Sequence, residues 1–381
     1  MSERKSGGTL RILHCHSTFN AGGKERRAVA LMNALGRAAE HTVVSAMPEE
    51  LGARALIDRK VNVRFPTDFP SLSGSPTPGR LVTIANALKG YDLILTYNWG
   101  AMDVVMAHTT FAGPFGLSHL IHHEDGFNED EARELKTSRN LYRRMALWRT
   151  NRLVVPSAVL ETIALTKWQQ PPQRIARIPN GIDTAAFAAE PKPGALRVVK
   201  REGERWVGTL AGLRPVKQLP AMVEAFVGLP ENWHLVIIGE GPERPAIREA
   251  ATRFEIDHRV HLPGALDDPE KVIGLFDIFA LSSRSEQFPL ALVEAMAAGL
   301  PVVAPRVGDV ARILAKENLD YITPAGVLPA LAAALKDLAS DPEGRSELGE
   351  ANRAKARAQF DVARMVERYR ALYAEVLGRE I

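Results

Sequence analysis

Two glutamates, Glu286 and Glu294, stand with seven residues between them. A carboxylate accepts several hydrogen bonds, so such a pair suits a ligand rich in hydroxyl groups. Asp277–Leu281 reads as a strand, and Ser282-Ser283-Arg284-Ser285-Glu286-Gln287-Phe288-Pro289-Leu290 as the loop leading into a helix that begins at Ala291. From the loop, Glu286 can reach a sugar ring. Glu294, about one turn into the helix, can accept bonds from a ribose diol. The helix N-terminus between them offers N–H groups and a positive dipole to a phosphate. Two glutamates near a helix start are also what an ordinary protein surface carries. The whole cassette, closed by Gly299-Leu300-Pro301 and a further strand, is more specific.

A second group has cations. Gly208-Thr209-Leu210-Ala211-Gly212-Leu213-Arg214-Pro215-Val216-Lys217 follows the strand Trp206–Thr209. Arg214 and Lys217 can neutralise charge that grows on a diphosphate leaving group; the alternative is a pair of solvated surface cations. Gly264-Ala265-Leu266, after the strand Val260–Leu262, is a candidate for backbone contacts to a base. In the front half, Gly22-Gly23 follows a short apolar run and permits close backbone approach. Asn98-Trp99-Gly100 and His122-His123-Glu124-Asp125-Gly126 also follow strands. Trp99 can stack on a sugar or pack in the core. The two histidines are candidate ligand contacts or buried structural residues.

These residues need elements to position them. Short apolar β-rich runs (Leu10–His14, His41–Ala46, Asp92–Thr96, Ser118–His122, Arg152–Pro156) alternate with helical patterns. The alternation lapses over Ala185–Gly203, then restarts with Trp206–Thr209, His234–Gly239, Val260–Leu262, Ile278–Leu281 and Pro301–Ala304. Alternation of this kind predicts parallel sheets with helices on both faces. The expected division is an N-terminal domain over 1–184, a linker over 185–203 and a C-terminal domain over 204–360. A final helix over 361–381 can pack back onto the first domain. In open parallel sheets, ligands bind at the carboxyl ends of the strands, where these candidates fall.

Bulk properties exclude some classes. The 381 residues are 46% hydrophobic and 24% charged, an ordinary soluble composition. The net charge of +3 argues against a dedicated nucleic-acid binder. Residues 1–180 carry +7 and the rest −4, so the front half better suits anionic partners. One cysteine, Cys15, excludes an intramolecular disulfide and fits a cytoplasmic protein. The polar Met1–Thr9 lacks the apolar stretch of a signal peptide. Lys136, Arg139, Arg143, Arg144, Arg149 and Arg152 interleave with Leu141, Tyr142, Met145, Leu147 and Trp148. That mixture predicts peripheral contact with an anionic membrane, on its inner face; a solvated helix face over core residues is the alternative.

The chain resembles glycosyltransferase family 4. The resemblance rests on Ser285–Leu290 through Glu294–Val303, on Ile178-Pro179-Asn180-Gly181-Ile182-Asp183, on Ile238-Gly239-Glu240-Gly241-Pro242 and on Gly22-Gly23-x-Glu25. It implies the GT-B fold, an α/β architecture of two Rossmann-like, doubly wound parallel-sheet domains facing across a cleft. It implies a retaining transferase, with a nucleotide diphosphate sugar donor (UDP- first, GDP- second) held mainly by the second domain. A glycan or lipid-linked acceptor falls to the first. Donor contacts are expected at Gly22, Gly23, Gly212, Gly239, Gly241, Gly264, Ala265, Leu266, Gln287, Phe288, Pro289, Leu290 and Glu294. Glu286, Lys217, Arg214 and one of His122 or His123 act at the reacting centre. Asn98, Trp99 and Asp125 face the acceptor. Two positions depart from the family pattern. Gly212 stands where an arginine is usual, so Arg214 substitutes. Pro289 has no N–H to offer, which leaves donor contacts to the amides of Gln287, Phe288 and Leu290. No Asp-x-Asp occurs, so the expectation is a metal-independent enzyme without cofactor. Alternatives are a nucleotide-sugar epimerase on the same fold and a non-catalytic sugar-nucleotide-binding protein.

Overall fold

A computed structural model of the chain describes residues 9–127, 131 and 134–381. The expectation for the first nine residues lies almost wholly outside them. The chain forms two compact units. The first comprises residues up to Pro179 together with Met365–Ile381, and the second comprises Asn180–Arg364.

The first unit is built on seven parallel strands: β1 (Leu10–His16), β2 (Ala39–Ser45), β3 (Asn62–Arg64), β4 (Leu93–Tyr97), β5 (His119–His123), β6 (Arg152–Val155) and β7 (Ile175–Arg177). Their order is β3-β2-β1-β4-β5-β6-β7. The connecting helices are α1 (Gly23–Leu35), α2 (Pro78–Ala87), α3 (Met102–Phe115), α4 (Thr137–Ala146) and α5 (Ala158–Thr166). The second unit has β8 (Arg205–Leu210), β9 (Trp233–Ile238), β10 (Val260–Gly264), β11 (Ile278–Ala280), β12 (Val302–Pro305) and β13 (Ile322–Thr323), ordered β10-β9-β8-β11-β12-β13. Its helices are α6 (Thr184–Ala188), α7 (Leu219–Phe226), α8 (Arg244–Arg253), α9 (Leu290–Ala297), α10 (Val310–Ile313), α11 (Leu328–Ser340) and α12 (Pro342–Gln359). Helix α13 (Val362–Leu377) begins in the second unit and continues in the first.

Both sheets therefore grow outward from their first strand in the same order. The order reverses between β1 and β4 in one unit and between β8 and β11 in the other. Helices cover both faces, so the central strands are buried almost throughout. In the second unit Trp206, Val236 and Phe279 enter one apolar cluster. Their neighbours Val207, Leu235 and Ile278 enter the other, as alternation requires.

The expected linker is corrected. Residues 185–203 lie inside the second unit: Phe187 and Leu196 join its core, and Lys192 N–H donates to Lys271 O at 2.6 Å. Proline and glycine density there marks an irregular but packed segment. The chain passes between units at Pro179–Asn180 and at Arg364–Met365. The Met365–Ile381 part of α13 belongs to the first unit, where the Tyr369 ring lies 5.8 Å from that of His123.

Candidate active site

In the second unit, the loops after β8 and β11 lie on either side of the point where strand order reverses. They are laced together. Lys217 Nζ meets Glu286 Oε1 at 2.5 Å, and Ser283 Oγ donates to the same oxygen at 2.7 Å. Ser282 Oγ donates to Lys217 O at 2.7 Å, and Arg284 N–H to Val216 O at 2.8 Å. Both charged side chains keep slight exposure, Lys217 16% and Glu286 11%, so a ligand can reach the pair. A third loop supports them from β12. Asp309 N–H donates to Gln287 O at 3.2 Å. Gly308 has φ +50°, and a Cβ there would fall 2.2 Å from Glu286 O, so only glycine lets the loops approach.

Arg214 is exposed, and its Nε lies 3.6 Å from the point a Cβ on Gly212 would occupy. The arginine thus folds over the glycine. Gly239 and Gly241 serve the same loop from behind: a Cβ on either would strike Ala211 O or Leu213 O. Their contribution is room for the 211–214 backbone. Gly264 forms the end of β10, where its carbonyl accepts from Gly239 N–H at 2.9 Å. Ala265 is exposed, and Leu266 is half-buried against the core.

Helix α9 starts after Pro289, which is buried, so the missing N–H falls at the N-cap. The Phe288 side chain packs edge-on against Phe360 with ring centroids 5.7 Å apart. That contact anchors the loop and leaves its backbone for ligands. Glu294 lies part-exposed on α9, in its second turn.

In the first unit, Gly22 caps α1 and Gly23 opens it. The buried Glu25 carboxylate folds back over them: Oε2 would lie 2.8 Å from a Cβ on Gly22, and Oε1 pairs with Lys24. Asn98 holds an unusual φ of +55°, and ties two loops together. Its N–H donates to His123 O and its Oδ1 accepts from Asp125 N–H, both at 2.8 Å. Trp99 lines a cavity of about 570 Å³ with Ser17, Thr18, Asp103, Arg139 and Tyr142. Tyr142 Oη donates to Asp103 at 2.6 Å, which also pairs with Arg80.

Asp125, expected at the acceptor, is held by an arginine. Both its oxygens are engaged by the buried Arg27, Oδ2 at 2.8 Å. Burial alone would lower the Arg27 pKa, but Asp125 outweighs it and raises it. His122 also has partners inside the fold. It is fully buried, bonded to Thr96 Oγ1 at 2.8 Å, and faces Glu124 at 3.9 Å. Glu124 in turn is held by the buried Arg143 at 3.2 Å, so His122 belongs to a structural network. The His123 ring stacks on Tyr97 at 4.6 Å and its Nδ1 lies 3.2 Å from Thr96 O, and its Nε2, like that of His122, has no hydrogen-bond partner among the described residues. Burial pushes its pKa well down, so the ring is neutral.

Several of these partners escape sequence reasoning. Ser283, Gly308 and Asp309 act through loops distant from Glu286 in the chain or through a hydroxyl in a serine-rich run. Glycine at 308 is the one available signal.

Two family descriptions match. Glycosyltransferase Family 4 matches residues 21–186, and Glycosyl transferases group 1 matches residues 197–355. The chain belongs to glycosyltransferase family 4. Among curated relatives, N-acetyl-alpha-D-glucosaminyl L-malate synthase of Bacillus anthracis is 29% identical over 178 residues, covering 46% of this chain and 47% of that protein. The phosphatidyl-myo-inositol mannosyltransferase of Mycobacterium leprae is 30% identical over 164 residues, 42% of this chain and 42% of that one. The chain thus spans less than half of these relatives' length. Among solved structures, Anabaena HepE in complex with UDP superposes with a TM-score of 0.79 at 19% identity, over 96% of this chain and 100% of that one. WaaG, a glycosyltransferase involved in lipopolysaccharide biosynthesis, gives 0.70 at 17% identity over 94% and 98%. These likenesses establish the GT-B fold for this family 4 member. Among the described residues, no helix is long and apolar enough to cross a membrane.

Proposed function

We propose that the chain is a retaining, metal-independent glycosyltransferase. It moves a sugar from a nucleotide diphosphate sugar, UDP- before GDP-, to a cell-envelope glycan or glycolipid. The observation that carries this reading is the Lys217–Glu286 pair, set where the strand order of the second unit reverses. Lys217, with Arg214 folded into the place left by Gly212, neutralises the diphosphate as the glycosidic bond breaks. The α9 N-terminus adds amides and dipole. Glu286 holds the transferring sugar, and Glu294 the ribose. With no carboxylate assigned as nucleophile, the leaving phosphate oxygen takes the acceptor's proton on the same face, and the protein supplies position and charge. His122 or His123 contacts the transferring sugar; the Nε2 of each is without a hydrogen-bond partner among the described residues. The cavity beside Trp99 is the acceptor side. Cytoplasmic placement and contact with an anionic membrane belong to the same proposal.

The two glutamates provide the test. Glu286→Ala should lower kcat, because a carboxylate beside a ring gaining positive charge binds the transition state better than the ground state. Glu294→Ala should raise the donor KM and weaken free UDP or GDP. A lost charge-assisted bond of about 1.5–3 kcal/mol makes either change tenfold or more. Kinetics on both variants, with calorimetry on free nucleotide, decides: matched or reversed profiles sink the assignment.

A further inference from the structure

Helix α4 turns three large apolar side chains to solvent. Leu141 is 54% exposed, Met145 48% and Trp148 66%. At spacings of four and three they share one face of the helix and of the turn Leu147–Arg149 that extends it. The end of α5 lies alongside, tied by Trp168 Nε1 donating to Asn140 Oδ1 at 3.0 Å. It adds the exposed Leu165 and Lys167. Exposed apolar groups gathered in this way mark a surface that is covered in use.

The charges around the patch choose the cover. Of the six cations in this segment, Arg143 is buried against Glu124 and Glu131, Arg139 pairs with Glu131, and Arg152 with Glu375. Arg144 and Arg149 are exposed, with Lys167 beside them. Glu134 is the one exposed acid among the described residues of 134–149. The neighbouring face of α4, through Ser138, Arg139 and Tyr142, lines the cavity beside Trp99.

We propose that this face seats the protein on an anionic lipid bilayer. Leu141, Met145 and Trp148 enter the headgroup–acyl boundary, and the cations meet the headgroups. This deepens the acceptor reading and rests on it in one respect. With α4 at the lipid surface, its cavity face is placed to take an acceptor carried by that bilayer.

Co-sedimentation with vesicles tests it. Full-length protein should bind vesicles of phosphatidylcholine with phosphatidylglycerol, bind phosphatidylcholine alone far less, and lose affinity as salt rises. The Leu141→Ser, Met145→Ser, Trp148→Ser triple variant should bind at least about tenfold more weakly. Arg144→Glu, Arg149→Glu should do the same. Brominated acyl chains should quench tryptophan fluorescence, and Trp148→Phe should remove most of that quenching, since Trp168, Trp206 and Trp233 are buried and Trp99 is half-buried. Unchanged melting temperature and UDP affinity would show that the variants fold. Absent binding at low salt, indifference to phosphatidylglycerol, or an unaffected triple variant would overturn the proposal. So would self-association that the triple variant abolishes in protein that ignores vesicles. Loss of UDP binding by the wild type would instead strike the transferase reading and leave the vesicle result standing.

Discussion

The two units share a strand order and differ in what they bury. In the second, both faces of the sheet pack apolar clusters, the Lys217–Glu286 pair lies in the loops at the strand ends, and the buried polar groups include Arg259, Asn318 and Asn352. In the first, one face carries an apolar cluster around Leu13, Ile94 and Leu153. The other carries His14, His16, Tyr97 and His123 in a stack. His16 lies 4.0 Å from Tyr97, and Arg27 sits over Tyr369 above them. One topology therefore accepts a dry interior or a polar one, provided the polar groups stay neutral or paired. Cys15, His14 and Tyr97 are all held in their neutral forms by burial. The second unit keeps its working charges where water and ligand can reach them.

This contrast can be broken by mutation. The largest stability effect should come from Arg143→Ala in the first unit, which strands Glu124 in the interior and leaves Glu131 with Arg139 as its remaining cation. Glu131 shows the dependence: burial pushes its pKa up, but bonds from Arg143 and Arg139 pull it below the usual range. A loss of about 3–5 kcal/mol is expected, read by denaturant unfolding. A change under about 1 kcal/mol would mean the network is relaxed by water.

Acidity should also act through the first unit. Burial lowers the His41 pKa from 6.5 to about 4, and lowers His14 and His16 well below their ordinary value. Below pH 6.5 the unfolded chain takes up protons that the folded chain refuses. Stability is thus fully present above 6.5 and falls as pH drops toward 4, by an amount on the order of 3 kcal/mol for His41 alone. Thermal melts across that range test it, and His41→Gln should flatten the curve. In the second unit, the stacked His234 and His261 are lowered as well, so its share is smaller but not zero.

Gly308→Ala should act between structure and activity. The added Cβ would press on Glu286 O in a backbone region costly for alanine, on the order of 1–3 kcal/mol. Turnover should fall more than nucleotide affinity. Lys217→Met should have the smallest effect on stability, within about 1 kcal/mol for a partly exposed pair. It should still lower turnover at least about tenfold. A melting shift as large as that of Arg143→Ala would erase the distinction between the units.

Much of this is legible in the sequence. Alternating strand and helix patterns predict two parallel-sheet units, and chemistry-bearing residues sit after strands. Glu286 and Lys217 stand in separate motifs, and nothing in the sequence indicates that they touch. The sequence misleads at 185–203, where proline and glycine density stands for a packed irregular segment. It is silent on the partners of His122 and Asp125. Their types suit ligands, but the choice between ligand and partner depends on Arg27, Thr96 and Arg143, which lie far from them in the chain or on other elements.

Local chemistry determined where turns, strands and helix starts fall, because glycine, proline and hydrophobic period act over a few residues. Those signals carried the α/β class, the strand-end location of the site and the family. Tertiary structure alone decided which charges are spent inside. Arg143 and Arg144 are adjacent in sequence, but the helical rotation between neighbours turns one toward two buried carboxylates and the other toward solvent. The same rotation exposes Leu141, Met145 and Trp148 and buries Leu147. Whether a cation stabilises a core, grips a phosphate or meets a membrane is set by what the fold brings within a few ångströms, since electrostatic and packing forces are short-ranged in water.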